Sequence, residues 1–422
     1  MKVLLLGSGG REHTIAWKLS GSPLLDTLYL APGNPGMADL GYLTDLNPMD
    51  FEGIKKFCAE HHIDLIISGP EAALAAGLKE SVQNEETYVL GPGKKGAQLE
   101  SSKAFAKAFM LKHGIPTAAY RAFVATEILE AKSYIQSHPL PIVLKADGLA
   151  AGKGVVICST TEHALQVCEE MLLKNTYGSA GSKMVVESFL TGIEVSVFIL
   201  TDGTSYVLLP EAKDYKKIGV GDTGPNTGGM GAVSPVPFFT PEFREKVEAQ
   251  IIKPTLRGLA ADSIPYDGFI FFGLINVNGD PFVIEYNVRL GDPETQAVLP
   301  RLESDLLEMI TKVQKGGLSD FAPQFSEDAC ATVVCVSEGY PGTYSTGLSI
   351  TGTEHTEGSL LFHAGTKIVE DELVTAGGRV LAVTSLGDTL EEAVAISLLN
   401  AEEIKYTGRY YRNDIGKDLM NE

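Results

Sequence analysis

The sequence predicts an α/β protein with a doubly wound parallel sheet at its N-terminal end, a central α+β region and a small C-terminal region of mixed character. Three observations carry this expectation. Over residues 1–100 short apolar runs alternate with stretches of helical spacing. A compact strand–loop–strand–helix–strand unit follows between Ile142 and Glu187. From Glu194 onward the turns are those of antiparallel hairpins.

Val3–Leu6, Leu28–Ala31, Leu65–Ser68 and Tyr88–Leu90 are the apolar runs, each ending in a Gly- or Pro-rich loop. Between them Phe51, Ile54 and Cys58 recur at helical spacing. In such a sheet, ligands bind at the loops that follow the strands. A helix is expected from about Ala97 to His113, stopped by Gly114-Ile115-Pro116. Strands Ile142–Lys145 and Val155–Cys158 flank a Gly-rich loop. A helix that Ser159 and Glu162 are spaced to cap then leads to strand Met184–Glu187. Asp202-Gly203 and Asn278-Gly279 read as hairpin turns, with a long polar loop from Glu211 to Gly231 between the two hairpins. Ala329–Val336 and Arg379–Thr384 read as strands, and Asp388-Thr389-Leu390-Glu391 as a capping box that opens a helix.

At 422 residues the chain suggests roughly three domains. Apolar residues make up 44% and charged residues 21%, as in ordinary globular proteins. The formal charge of −20 repels phosphate backbones, which argues against nucleic acid and anionic membranes as partners. The 5 cysteines show no Cys-x-x-Cys spacing and read as reduced, scattered thiols. The apolar run after Met1 is too short for a signal peptide and no stretch approaches a membrane span, so a cytoplasmic protein is expected.

Four motifs bear on chemistry. In Gly7-Ser8-Gly9-Gly10-Arg11-Glu12, Glu12 stands where a dinucleotide fingerprint needs Gly or Ala, and the second strand ends without a carboxylate. Nicotinamide cofactors are therefore not expected. The loop reads equally as a phosphate cradle at a helix N-terminus or as a plain tight turn. Lys145-Ala146-Asp147-Gly148-Leu149-Ala150-Ala151-Gly152-Lys153-Gly154 is not a Walker A loop, because its spacing is one residue short and Gly154 replaces Ser or Thr. Its glycines still let backbone amides approach a polyphosphate, and its lysines offset charge. Glu285 and Asn287 lie two apart on a strand and so share a face, a hard-oxygen pair suited to Mg2+; Arg289 continues that face toward a transferring phosphoryl group. Gly221–Gly231 holds five glycines in a polar loop, which reads either as disorder or as backbone passing close to a ligand. The histidines show no zinc spacing, and no Gly-x-Ser-x-Gly elbow is present.

Together these residues resemble the glycinamide ribonucleotide synthetases of the ATP-grasp superfamily, over essentially the whole chain. Seven motifs in order carry the resemblance: Gly9-Gly10-Arg11-Glu12-His13, Gly69-Pro70-Glu71, Lys145–Val155, Asp222–Gly231, Arg289–Glu294, Phe362–Thr366 and Asp414-Ile415-Gly416. The resemblance implies an N-terminal α/β domain over residues 1–100 and a central ATP-grasp domain from 101–122 and 189–325. It further implies an ATP-grasp lid over 123–188 and a C-terminal domain over 326–422. It implies ATP and Mg2+, with Mn2+ as an alternative, and glycine and 5-phosphoribosylamine as small-molecule substrates of a monomer. Lys103 and Lys145, with the loop residues Gly148, Gly152 and Lys153, match the ATP-phosphate contacts. Glu187, Phe189 and Leu190 match the adenine hinge, and Glu194 the ribose contact. Glu285 and Asn287 match the metal ligands. Gly9, Gly10 and Glu71 would line the phosphoribosylamine site, with Asp222 and Asn226 nearby. Asp214 and Asp292 would hold the glycine ammonium. Lys145, Arg289 and Asp292 would act in catalysis, by way of an acyl phosphate.

Two departures mark this chain. Lys213-Asp214-Tyr215-Lys216-Lys217 stands where the family usually reads Gln-Asp-His-Lys-Arg. The strand Phe269–Val277 also lacks the acidic metal ligand of many ATP-grasp enzymes, as the glycinamide ribonucleotide subgroup tends to. Another ATP-grasp carboxylate–amine ligase and a non-catalytic nucleotide sensor are the competing expectations.

Overall fold

A computed structural model describes residues 1–149, 154–174 and 183–420. The N-terminal sheet holds β1 (Lys2–Gly7), β2 (Thr27–Pro32), β3 (Tyr42–Leu43), β4 (Leu65–Ser68) and β5 (Tyr88–Leu90). All are parallel, in the order β3-β2-β1-β4-β5. Val3–Leu6 reads as an unbroken apolar run because β1 is central and buried on both faces. The chain reverses direction of winding beside β1, so the loops after β1 and β4 open into one crevice at the carboxyl ends of the strands.

The expected helix from Ala97 to His113 is broken. Ser102 is extended (φ −140°, ψ 109°) and separates helices Gln98–Ser101 and Lys103–Lys112. Its hydroxyl accepts from Phe105 N at 3.1 Å and contacts the Asp147 carboxylate at 3.1 Å, so a serine that can cap wins over the apolar periodicity.

A four-stranded antiparallel sheet follows: β6 (Tyr120–Val124), β7 (Ile142–Ala146), β8 (Val155–Cys158) and β9 (Lys183–Ser188), ordered β6-β9-β7-β8. It has its own apolar core, in which Phe123, Ile135, Leu144, Met171 and Val186 pack together. Helix Thr161–Leu172 crosses it. The cap is Thr160 and not Ser159, since the chain stays extended one residue further and Thr160 Oγ1 accepts from His163 N at 3.2 Å.

The central sheet contains β10 (Ile193–Thr201) and β11 (Tyr206–Leu208), which meet across the Asp202-Gly203 turn. The expected long loop 211–231 is in fact largely paired. It forms β12 (Lys213–Asp214), a small hairpin of β13 (Lys217–Gly219) and β14 (Thr223–Asn226), and β15 (Gly231–Ser234). Glycines and polar residues hid β13 and β14, which are half-buried or exposed, while β15 is buried but only four residues long. β16 (Gly268–Val277) and β17 (Asp280–Asn287) complete the central sheet, in the order β11-β10-β16-β17. They are joined by Asn278 and Gly279 at φ 53° and 88°, as a two-residue hairpin turn requires.

β18 (Ala329–Val336), β19 (Leu360–His363), β20 (Thr366–Val369), β21 (Glu372–Thr375) and β22 (Arg379–Gly387) build the C-terminal region. β12 and β15 join this sheet, which runs β12-β15-β18-β22-β19. Helix Leu390–Glu403 packs on β18 and β22 and is capped by Thr389 Oγ1, which accepts from Glu392 N at 3.2 Å. The box thus lies one residue beyond the Asp388/Glu391 expectation. All 5 cysteines are free and buried. No helix among the described residues is long and apolar enough to cross a membrane.

Candidate active site

A cleft of about 1170 Å³ lies where the N-terminal crevice, the β6–β9 sheet, the central sheet and the C-terminal sheet meet. At one end β7 carries Lys145 and helix Lys103–Lys112 carries Lys107. Both pair with Glu187 on β9, at 3.0 and 2.9 Å. The three side chains are 6% exposed or less. Two buried ammonium groups around one carboxylate leave a net positive charge, an arrangement that favours an anion. Burial, only partly offset by Glu187, pulls Lys107 down to about 8. Lys103, one helical turn before Lys107, is also lowered by burial and donates to Gly148 O at 3.2 Å. Beyond β9 the exposed Phe189 and the neighbouring Leu190 form an apolar wall with Val143, Ile157 and Met110. Such a slot suits a flat aromatic base.

On the facing sheet Glu285 and Asn287 pair in register with Gly273 and Phe271, so both point the same way. Asn287 Nδ2 donates to Tyr286 O at 2.7 Å, which leaves Oδ1 as the free acceptor end of the amide. Glu285 has no ion-pair partner within 4.0 Å among the described residues, although its charge helps keep Lys216 and Arg289 protonated and opposes the lowering of Lys103 by burial. One carboxylate and one amide oxygen fit a hard cation that takes its other ligands from phosphate and water. Among the described residues no cluster of three or more His, Cys, Asp or Glu side chains could hold a metal by itself.

Arg289, just past β17, reaches to the N-terminal crevice. Its Nη2 lies 2.8 Å from Glu100 Oε1 and its Nη1 donates to Leu290 O at 3.1 Å. Its Nε is 3.4 Å from Glu71 Oε2, a Coulombic contact that leaves this buried N–H without a hydrogen bond. Burial opposes the arginine's charge, but Glu100 and Glu71 outweigh it and hold the guanidinium charged. Burial lifts Glu100 to about 7 against the pull of Arg289. For Glu71 burial also raises the carboxyl, yet Arg289 and Arg11 win and lower it.

The loop after β1 folds around Glu12. Its Oε2 accepts from Gly9 N at 2.6 Å and its Oε1 from Arg11 Nε at 2.6 Å. A Cβ on Gly69 would sit 1.8 Å from Glu12 Oε1, so the loop after β4 needs glycine there to close in. Asp292 faces the same loop. A Cβ at Gly9 would lie 3.2 Å from its Oδ2 and one at Gly10 3.8 Å from its Oδ1. Asp292 accepts from Gln296 Nε2 at 2.8 Å and pairs with Arg379 Nη2 at 3.1 Å. Burial would raise this carboxyl, but Arg379 and Arg11 keep it below the usual range. Arg379 also donates to Gly228 O and Asp292 O, both at 2.7 Å, tying the glycine loop to the site.

The floor is acidic. Lys216 pairs with Glu194 at 2.8 Å and lies 3.7 Å from Asp214. Burial works against its charge, but Asp214, Glu194 and Glu285 outweigh it and hold it well above the usual lysine range. Burial, reinforced by Glu294 and Glu194 though opposed by Lys216, lifts Asp214 to about 7. Glu294, raised chiefly by burial, accepts from Ser196 Oγ at 3.2 Å. Asp222, at φ 54°, and Asn226 stand on the β13–β14 hairpin at the wall.

Against known proteins, three family models account for most of the chain. The phosphoribosylglycinamide synthetase N domain matches residues 1–100, its ATP-grasp (A) domain residues 101–295 and its C domain residues 330–418. The chain belongs to the phosphoribosylglycinamide synthetase family. It is 45% identical over 417 residues to a phosphoribosylamine–glycine ligase of Rhizobium meliloti (strain 1021), covering 99% of this chain and 98% of the relative. Against the ligase of that name from Chlorobaculum tepidum it is 45% identical over 427 residues, with both chains covered to 100%. The crystal structure of a phosphoribosylamine–glycine ligase from Thermotoga maritima superimposes with a TM-score of 0.86 at 33% identity, covering 98% of this chain and 100% of that one.

Except for Gly9, Gly10 and Gly148, every site residue expected from the sequence and lying within the described chain lines the cleft. Gly9 and Gly10 lie against the Asp292 carboxylate, and Gly148 offers its carbonyl to Lys103. Gly152 and Lys153 lie outside the described residues. Lys107, Glu100 and Arg379 belong to the site although no sequence motif includes them, and Glu294 and Lys216 belong to it although their segments gave them no role. Lys107 has a usable signal, since it follows Lys103 by four residues on a helix whose neighbouring Ala106 and Met110 are core. Arg379 has none, for it opens an ordinary apolar strand.

Proposed function

We propose that this cleft joins glycine to 5-phosphoribosylamine at the expense of ATP, giving glycinamide ribonucleotide, ADP and phosphate by way of glycyl phosphate. The chain is a carbon–nitrogen ligase that forms ADP; the relatives that match it over its full length are named phosphoribosylamine–glycine ligase. The observation that carries the site reading is a convergence in one cleft. A cationic pocket on Lys107, Lys145 and Glu187, an oxygen pair on Glu285 and Asn287, and the group of Arg11, Glu71 and Asp292 all open onto it.

In this reading the adenine rests against Phe189 and Leu190, Glu194 reaches the ribose, and Lys103 and Lys145 hold the phosphates. Glu285 and Asn287 would hold Mg2+, or Mn2+ in its place, which supplies charge neutralisation to the triphosphate. Asp214 and Asp292 hold the glycine ammonium and leave its carboxylate facing the γ-phosphoryl group. A carboxylate oxygen attacks phosphorus, the bond to ADP breaks, and Lys145 and Arg289 balance the charge. Gly9, Gly10 and Glu71, with Asp222 and Asn226, hold 5-phosphoribosylamine so that its amine attacks the glycyl carbonyl. Phosphate leaves and the amine gives up a proton. Enclosure matters because an acyl phosphate hydrolyses in water.

The working division of the chain is into an N-terminal domain, a lid, a central ATP-grasp domain and a C-terminal domain, in a cytoplasmic monomer. Size-exclusion chromatography with light scattering checks the monomer. The activity is tested by ADP release with Mg-ATP, glycine and fresh 5-phosphoribosylamine, each omitted in turn. ADP only with all three present, and loss of turnover when alanine replaces glycine, is the expected result. ATP binding without turnover on these substrates would overturn the substrate assignment and leave the nucleotide site standing.

A further inference from the structure

A strand that presents pocket residues on one face has to be held from the other. Past β12 the chain stays extended, with Tyr215 N bonded to Gly231 O at 3.0 Å and Thr227 N to Lys216 O at 2.7 Å. Side chains therefore alternate. Asp214 and Lys216 share the face that meets Glu194. Lys213 and Tyr215 share the other, and both end on Asp418; Tyr215 is buried away from the cleft, while the Lys213–Asp418 pair sits at its edge. Lys213 Nζ pairs with Asp418 Oδ2, and Tyr215 OH donates to Oδ1 at 2.6 Å. The Lys213 ammonium lies 4.9 Å from the centre of the Tyr215 ring and the Arg412 guanidinium 5.3 Å from it. Arg412 is 1% exposed and holds Asp222 at 2.6 Å, Asp414 at 2.7 Å and Lys217 O at 3.1 Å. Asp414 accepts from Gly221 N at 2.8 Å. The stretch Arg412–Asp418 thus grips the segment 213–222 at successive points. Two of its anchors, Lys213 and Tyr215, are residues at which this chain departs from the usual family sequence.

We propose that Asp418 is a positioning residue for substrate recognition. By taking Lys213 on one carboxylate oxygen and Tyr215 on the other, it fixes the register in which Asp214 and Lys216 face the cleft. A slip of one residue would exchange the two faces and turn Asp214 away. The inference rests on the reading of Asp214 as a member of the glycine site. The ATP end of the cleft is held by the Lys107–Glu187–Lys145 group and does not depend on Asp418.

The test is steady-state kinetics for all three substrates in wild type, D418N and D418E. D418N keeps an acceptor for Tyr215 and removes the charge opposite Lys213. Loss of a charged hydrogen bond at this point is expected to raise the KM for glycine about tenfold while the KM for ATP stays within about twofold, with D418E restoring most of the difference. A merely structural role would instead lower kcat and thermal stability and spread over all three KM values. The proposal is overturned if D418N leaves the glycine KM within about twofold of wild type, or raises the KM for ATP as much as that for glycine. Wild-type turnover in the same series keeps the two readings apart, because an active wild type beside an indifferent D418N sinks the positioning role alone.

Discussion

Replacing Glu187 by glutamine removes the carboxylate that two buried lysines share. The contacts are 2.9 Å to Lys107 and 3.0 Å to Lys145, and the side chains are 6% exposed or less. Breaking a buried ion pair by removing one partner costs about 3–5 kcal/mol, because the remaining charge is left without compensation. The lower end applies, since glutamine keeps an acceptor and Lys107, already near 8, can shed its proton. With an unfolding entropy of about 2.1 cal/mol/K per residue, a loss of about 3 kcal/mol corresponds to a fall in Tm of roughly 3–4 °C for the whole chain by scanning calorimetry at pH 7. The triphosphate of ATP is then the natural replacement for the missing negative charge. Saturating Mg-ATP is therefore expected to raise the Tm of E187Q by more than it raises that of the wild type. A variant that melts within about 1 °C of wild type, and gains no more from Mg-ATP, would refute the dependence of these lysines on Glu187.

Glu285→Ala is expected to lower kcat by about a hundredfold or more in saturating Mg-ATP with little change in Tm, and near-normal turnover would remove Glu285 from the metal site. Gly69→Ala places a methyl group 1.8 Å from Glu12 Oε1, so it should destabilise by about 1–3 kcal/mol and also impair binding of 5-phosphoribosylamine; a Tm equal to wild type would show that the two loops can separate freely. Burial lifts Glu100 to about 7 in the fold, against 4.5 for the unperturbed group. The fold binds this proton more tightly, so the stabilising contribution is complete below about pH 4.5 and is lost as pH rises through 7. Urea midpoints measured from pH 5 to 8 should fall more steeply in wild type than in Glu100→Gln, which keeps the similar contribution of Asp214; parallel profiles would contradict it.

Much of the framework was legible because it is written in local pattern. The N-terminal strands announce themselves through apolar runs, and Asn278-Gly279 through the positive φ values that a tight hairpin requires. Motifs with several polar residues at short spacing, such as Glu285 and Asn287, were also readable, since alternation alone puts them on one face. What stayed hidden depends on distant partners. Ser102 breaks a helix because Asp147 is beside it, and β12 is paired only because β15 returns beside it and is itself held against β18. Arg379 enters the site only because Asp292 and the carbonyl of Gly228 converge on it, and nothing around Arg379 in the chain foretells either. The caps at Thr160 and Thr389 lie one residue from their expected places, within the ordinary spread of where a helix begins.

The sharing of β12 and β15 with the C-terminal sheet also bears on the order in which the molecule can assemble. During synthesis these two short strands leave the ribosome well before β18, the eight-residue strand that β15 pairs with. Until β18 arrives, β15 has only the two-residue β12 as its partner in that sheet, and closing the connection to β18 carries the entropic cost of a long loop. The wall of the cleft that bears Asp214 and Lys216 is therefore among the last regions of the chain to become fixed, since it waits both for β18 and for the contact of Lys213 with Asp418.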